Sequence, residues 1–178
     1  MTQVPTRTSI TVDTVRRELA KGRDLRSGSA PWTLGFIELA DAQCGGRWHE
    51  RELDAAEALA IVLPTHAGEP CKGDRLTLVP REGGTVALVA ERLRAIAVDY
   101  ARENPSCWGR ISEAGAAPFS SIILTTTPLE TDEHRHLARR DGALYHLDGF
   151  HRLLGWAMAG RLTPGVRLHA HVAGLGRV

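Results

Sequence analysis

Cysteine is scarce in this chain: there are three, Cys44, Cys71 and Cys107, and no two are spaced as CxxC. An odd and scattered set argues against a disulfide framework and against a structural zinc site built from thiolates. Lysine is scarcer still, with only Lys21 and Lys72 among the 22 basic residues. Those are balanced by 21 acidic residues, for a formal charge of +1, so there is no overall field for gripping nucleic acid. No run approaches the roughly 20 apolar residues of a membrane span. The opening residues, Met1 to Arg7, lack the apolar stretch of a secretory leader. The expectation is a reduced, cytoplasmic protein without nucleic-acid or membrane partners.

What is present supports a folded domain. With 43% hydrophobic and 24% charged residues, 178 residues suffice for one core and exclude wholesale disorder. Residues 1–8 read as a flexible tail and residues 9–178 as a single domain. Ile10, Val12, Val15 and Leu19 carry helical spacing over residues 10–20. Residues 32–39 are apolar enough for a buried strand. Residues 54–62 read as a short helix or as the opening of a strand that ends at Pro64. Residues 76–80 predict a strand.

The stripe Val86, Val89, Leu93, Ile96, Tyr100 predicts a helix over residues 86–103, ended by Asn104-Pro105. A β-branched strand follows at residues 121–127, then a polar helix at 128–140 that opens on Pro128. Residues 143–147 predict a central strand, 149–159 a helix and 166–173 a last strand. Alternation of this kind indicates a mixed α/β (α+β) domain with a small central sheet and flanking helices.

One stretch concentrates chemistry: Leu144-Tyr145-His146-Leu147-Asp148-Gly149-Phe150-His151-Arg152. A strand runs into a helix through an Asp-Gly step. Asp148 is placed to cap the helix, and Gly149 keeps a Cβ out of the way of an approaching phosphate. The backbone N–H groups of Gly149, Phe150 and His151 then converge where the helix dipole favours an anion. His151 and Arg152 add donors, the latter in a fork suited to phosphate oxygens.

These residues resemble the DGxHR box of the ParB/sulfiredoxin-like superfamily, matched at Asp148, Gly149, His151 and Arg152. Residues 166–172 resemble the strand after that box. Asn104-Pro105 with Arg110, and the strand Ile122 to Thr125, are similar to the superfamily's NP…R stretch and its preceding strand. The whole chain also resembles an uncharacterised actinobacterial family, which adds no mechanism. The resemblance implies a fold that holds nucleotide phosphates at a helix N-terminus, with ATP or another NTP and Mg²⁺ as cofactors. Phe150 stands where sulfiredoxins carry cysteine, and no helix-turn-helix is recognisable, so sulfinic-acid reduction and DNA segregation are not expected. A phosphotransferase acting on a small metabolite needs neither part.

Outside the box, Lys72 and Asp74 flank Gly73 in a loop suited to a phosphate and to a hydroxyl or Mg²⁺. Asp74 and Glu103 are candidate catalytic bases beside Asp148 and His151, and Lys72 and Arg110 candidate phosphate contacts. A loop of residues 70–74 lying over the box would favour an enzyme; one on the far side would favour a binder. The turn Cys107-Trp108-Gly109-Arg110 offers a thiol and a ring that could wall a pocket. His169 and His171, two apart on a strand, share a face and form a possible metal pair. The alternatives to a phosphotransferase are a non-catalytic nucleotide- or protein-binding module and a metal- or cysteine-dependent biosynthetic enzyme.

Overall fold

The computed structural model describes residues 7–21, 25–26, 30–65 and 76–174. Among them, seven strands form one mixed sheet in the order β1-β2-β7-β5-β6-β3-β4. In chain order the elements are β1 (Thr8–Ile10), α1 (Val12–Ala20), α2 (Ala30–Gln43), β2 (Trp48–Asp54), α3 (Ala55–Ala60), β3 (Val62–Leu63) and β4 (Gly84–Thr85). They continue with α4 (Val86–Ala95), α5 (Ala97–Glu103), α6 (Pro105–Ala116), β5 (Ile122–Thr125), β6 (Tyr145–Asp148), α7 (Phe150–Met158) and β7 (Arg167–Ala173). The chain is a mixed α/β domain, as its pattern predicts. No described helix is long and apolar enough to cross a membrane.

Two cores cover the two faces of the sheet. On one face α1 and α2 bury Val15, Leu19, Ile37 and Ala40 against Trp48, Ile123, Leu147 and Ala173. On the other, α3 to α7 bury Ala58, Leu93, Ile111, Leu153 and Trp156 against Leu53, Leu63, Leu124, Leu168 and Val172. The strand at 145–148 is interior, between β5 and β3, and α4 joins the second core through Val89 and Leu93. Antiparallel β5–β6 and parallel β6–β3 pairing gather the ends of β6 and β3 and the start of β5 at one end of the sheet. That end carries the Asp-Gly step.

Several expectations change. Residues 32–39 are helical, part of α2, because Thr33, Ile37 and Ala40 repeat at three to four and seat that stripe on the sheet. Residues 76–80 form no strand; Leu78 and Val79 are buried without a ladder. The ambiguous stretch is both things in turn, a helix at Ala55–Ala60 and a strand at Val62–Leu63. Its helix starts with a capping box, in which Asp54 accepts from the Glu57 N–H and Glu57 from the Asp54 N–H. The helix expected over 86–103 breaks at Ile96, whose φ of −117° belongs to neither α4 nor α5. Asn104-Pro105 ends α5 but also begins α6, with proline at the first helical position where its missing N–H costs nothing.

Residues 128–140 contain no helix. Tyr145 holds this segment from beneath: its hydroxyl donates to Ala138 O and accepts from the Arg140 N–H, both at 2.8 Å. His134 is buried within it, and its Nδ1 accepts from the Leu129 N–H at 3.1 Å. Burial lowers the His134 pKa from 6.5 to about 4. As pH falls, the unfolded chain therefore takes up this proton first. The stabilisation is complete above 6.5 and is lost between there and about 4. At about 1.4 kcal/mol per pH decade this amounts to roughly 3 kcal/mol. Urea titrations at pH 7 and 4.5 should show a smaller loss for His134→Asn, which keeps an acceptor for Leu129, than for wild type. An equal loss in both would mean that another group carries the acid sensitivity.

Candidate functional site

The strand-to-helix step has the local form that its residues dictate, with one difference. The residue that precedes α7 as its cap is Gly149, at φ +108°, a conformation that suits glycine alone. A Cβ there would also lie 2.7 Å from Ile122 Cγ2. Asp148 therefore sits one residue too early to be the cap. Its carboxylate instead accepts a hydrogen bond from Arg152 Nη2, one helical turn on. Arg152 Nη1 donates to Ser121 O at 2.6 Å and to Ser120 Oγ at 2.8 Å. The guanidinium thus ties the start of α7 to the entry of β5, and its first task is to shape the turn.

His151, in the first turn of α7, is held from α6. Its Nε2 lies 3.5 Å from Cys107 Sγ, and that thiol accepts from the Tyr100 hydroxyl at 3.2 Å. Tyr100 and Cys107 are buried, whereas His151 is half-buried. A fully covered thiol with these neighbours is fitted to orient an imidazole rather than to attack a substrate. The arrangement depends on the close approach of α6 and α7. Cys107 is in the third position of α6 rather than in a turn. Asn104, just before that helix, clamps Leu76 on both sides: its Oδ1 accepts from Leu76 N at 2.8 Å and its Nδ2 donates to Leu76 O at 2.6 Å.

The remaining sequence candidates divide. Lys72, Asp74 and Cys71 lie outside the described residues. Their described flanks are Thr65, which follows β3 at the box end of the sheet, and Leu76, on Asn104 beside α6. Glu103 pairs with Arg102, its neighbour in α5, at 3.0 Å. Arg110 is exposed on α6. Trp108 does wall a pocket: with Ile111, Gly115, Met158 and Ala159 it lines an open groove between α6 and α7. That groove is at the far end of α7 from Gly149. His169 and His171 share a face of β7, joined there by Glu50 of β2.

Sequence reasoning missed Tyr100, Ser120, Ser121, Asn104 as a clamp, and Glu50. Only Asn104, in its Asn-Pro pair, carried a local signal. A sequence profile described as a family of unknown function (DUF6309) matches residues 9–178. The chain belongs to this family. No curated protein and no solved structure matches it. The matched span takes in every described element of the site, from Tyr100 to Arg152.

Proposed function

We propose that this member of the family binds a nucleoside triphosphate at the turn from Gly149 to Arg152 and transfers a phosphoryl group to a small metabolite. The observation that carries the reading is the turn itself. A left-handed glycine opens α7, and the next three residues include an imidazole and a guanidinium that are each fixed by the protein. Backbone N–H groups at such an N-terminus suit phosphate oxygens without reorganisation. The likeness of Asp148, Gly149, His151 and Arg152 to the DGxHR box of the ParB/sulfiredoxin-like superfamily supports the same ligand.

Within this reading the amides of Phe150 and His151 hold phosphate oxygens, and Arg152 keeps the turn in shape while adding positive charge. His151, oriented by Cys107, meets the transferring group or its acceptor. Asp148 is engaged by Arg152, so Mg²⁺ would be carried by the nucleotide's own phosphates and water. When bound, such an ion would supply neutralisation of the phosphate charge. Phosphoryl transfer asks chiefly for positioning and charge neutralisation, which this inventory supplies.

The test is a thermal-shift series with ATP, CTP, GTP and inorganic phosphate, each with and without Mg²⁺. At least one nucleotide should raise the melting temperature by the mass-action increment expected of a ligand that binds only the folded state. Gly149→Val, strained at positive φ and set against Ile122, should abolish that increment. Flat curves for all four ligands in wild type would remove the reading. A shift without phosphoryl transfer to any metabolite offered would leave a nucleotide-binding module.

A further inference from the structure

The face of the sheet opposite α7 carries a second cluster. Strand alternation puts His169 and His171 on one side of β7. The antiparallel register with β2 sets Glu50 opposite His171. His171 Nε2 lies 3.3 Å from Glu50 Oε1, and His169 Nε2 lies 3.8 Å from Glu50 Oε2. The two rings meet edge to face, 4.9 Å between centroids. One ligand atom from each of the three residues falls within 4.8 Å of the others. A tetrahedral zinc ion with bonds of about 2.0–2.1 Å keeps its ligand atoms about 3.4 Å apart. The measured separations bracket that value, so only small side-chain rotations are needed to close the set.

His171 is buried. Among the described residues its other nitrogen, Nδ1, is buried without a hydrogen-bond partner, and the ring is held from the side of Glu50 and His169. Glu18 of α1, which also interacts with His171, brings a second carboxylate towards the site. His169 is about half exposed, which opens the cluster to solvent.

We propose that Glu50, His169 and His171 form a binding site for a divalent transition-metal ion of the Zn²⁺, Co²⁺ or Fe²⁺ class. Two imidazoles and one carboxylate are a donor set that such ions favour over Mg²⁺ or Ca²⁺. Three protein ligands leave a coordination position for water or for an anionic group of a small molecule, the pattern of catalytic rather than structural sites. The register also places this site in line with the box. Glu50 pairs with His171, His171 with Ile123 and Ile123 with Asp148, so four neighbouring strands carry the two sites at one level of the sheet. Glu18 links their surroundings, because it accepts from Ser121 Oγ at 2.9 Å while Ser121 O accepts from Arg152. The proposal does not depend on nucleotide binding.

The experiment uses untagged full-length protein stripped with chelator and titrated with Co²⁺ and with Zn²⁺, without nucleotide. Co²⁺ should give visible d–d absorption that saturates at one ion per chain and is displaced by Zn²⁺. His169→Ala and Glu50→Gln should each weaken binding at least about tenfold, the lower end of what even an outer-sphere change costs a metal site. Both positions are accessible enough to be changed without opening a core, and circular dichroism confirms the fold. His171 is avoided because its replacement would disturb the packing under α1. Absence of saturable binding by wild type overturns the proposal. So does either variant that is folded and binds both ions as wild type does.

Discussion

Gly155→Ala should destabilise the protein by about 2–4 kcal/mol and lower its melting temperature by roughly 5–15 °C. The added Cβ would lie 2.5 Å from Ile111 O, 2.6 Å from Gly115 N and 3.0 Å from Ala114 C. All three are backbone atoms of α6, so no side chain can rotate away and the helices must separate. Separation loosens Ile111, Leu154 and Trp156, which lie in one core around that crossing. Alanine's better helix propensity returns only about 1 kcal/mol. The same gain stands unopposed at Gly109 on α6, where a Cβ meets nothing within 4 Å. Gly109→Ala should therefore stabilise by up to about 1 kcal/mol. Chemical denaturation of the two variants should give opposite signs. Equal stability of Gly155→Ala and wild type would show that α6 and α7 do not touch, and with that the contact between Cys107 and His151 would go.

Arg152→Ala should cost about 2–4 kcal/mol of stability and remove the stabilisation brought by phosphate ligands. Its guanidinium serves Asp148, Ser120 and Ser121 together, and the Asp148 side chain is only 13% exposed. Truncation removes this guanidinium from a carboxylate with little access to water, and frees the entry of β5 from the start of α7. Lysine at this position should recover less than half of the loss, because a single ammonium cannot reproduce a fork that meets separate partners. Pairing Arg152→Ala with Asp148→Asn in a double-mutant cycle separates the two roles. Strong coupling in stability is expected from the direct bond. A nucleotide-induced shift that persists in Arg152→Ala would assign the anion to another part of the molecule.

How far the chain could be read in advance depended on whether the deciding interactions are local. The passage from residue 143 to 159 was legible because an apolar strand, a glycine that tolerates positive φ and an amphipathic helix each follow from near neighbours. The same holds for β5 and β7, whose β-branched and alternating residues mark them out. By contrast, β2 escaped notice because Trp48-His49-Glu50-Arg51-Glu52-Leu53-Asp54 carries polar residues towards both faces. It is a strand because β1 and β7 pair with it on either side. The segment at 128–140 has a helical composition, yet the Tyr145 hydroxyl and the buried His134 ring hold its backbone in turns. Cys107-Trp108-Gly109-Arg110 looked like a turn because glycine and aromatic residues are poor helix formers. Packing on α7 overrides that preference.

By itself, the sequence determined the fold class, the order of the elements around the Asp-Gly step, and the turn that presents His151 and Arg152. Only the tertiary structure decided what those side chains meet. Arg152 reaches Ser120 and Ser121 because β5 lies beside β6, and His151 reaches Cys107 because two glycines let α6 and α7 approach. Glu50 joins the two histidines of β7 through the β2–β7 register. Such contacts join residues far apart in the chain, and their geometry is fixed by strand register and helix crossing. Both are set by the packing of the whole core, which no local run of residues encodes.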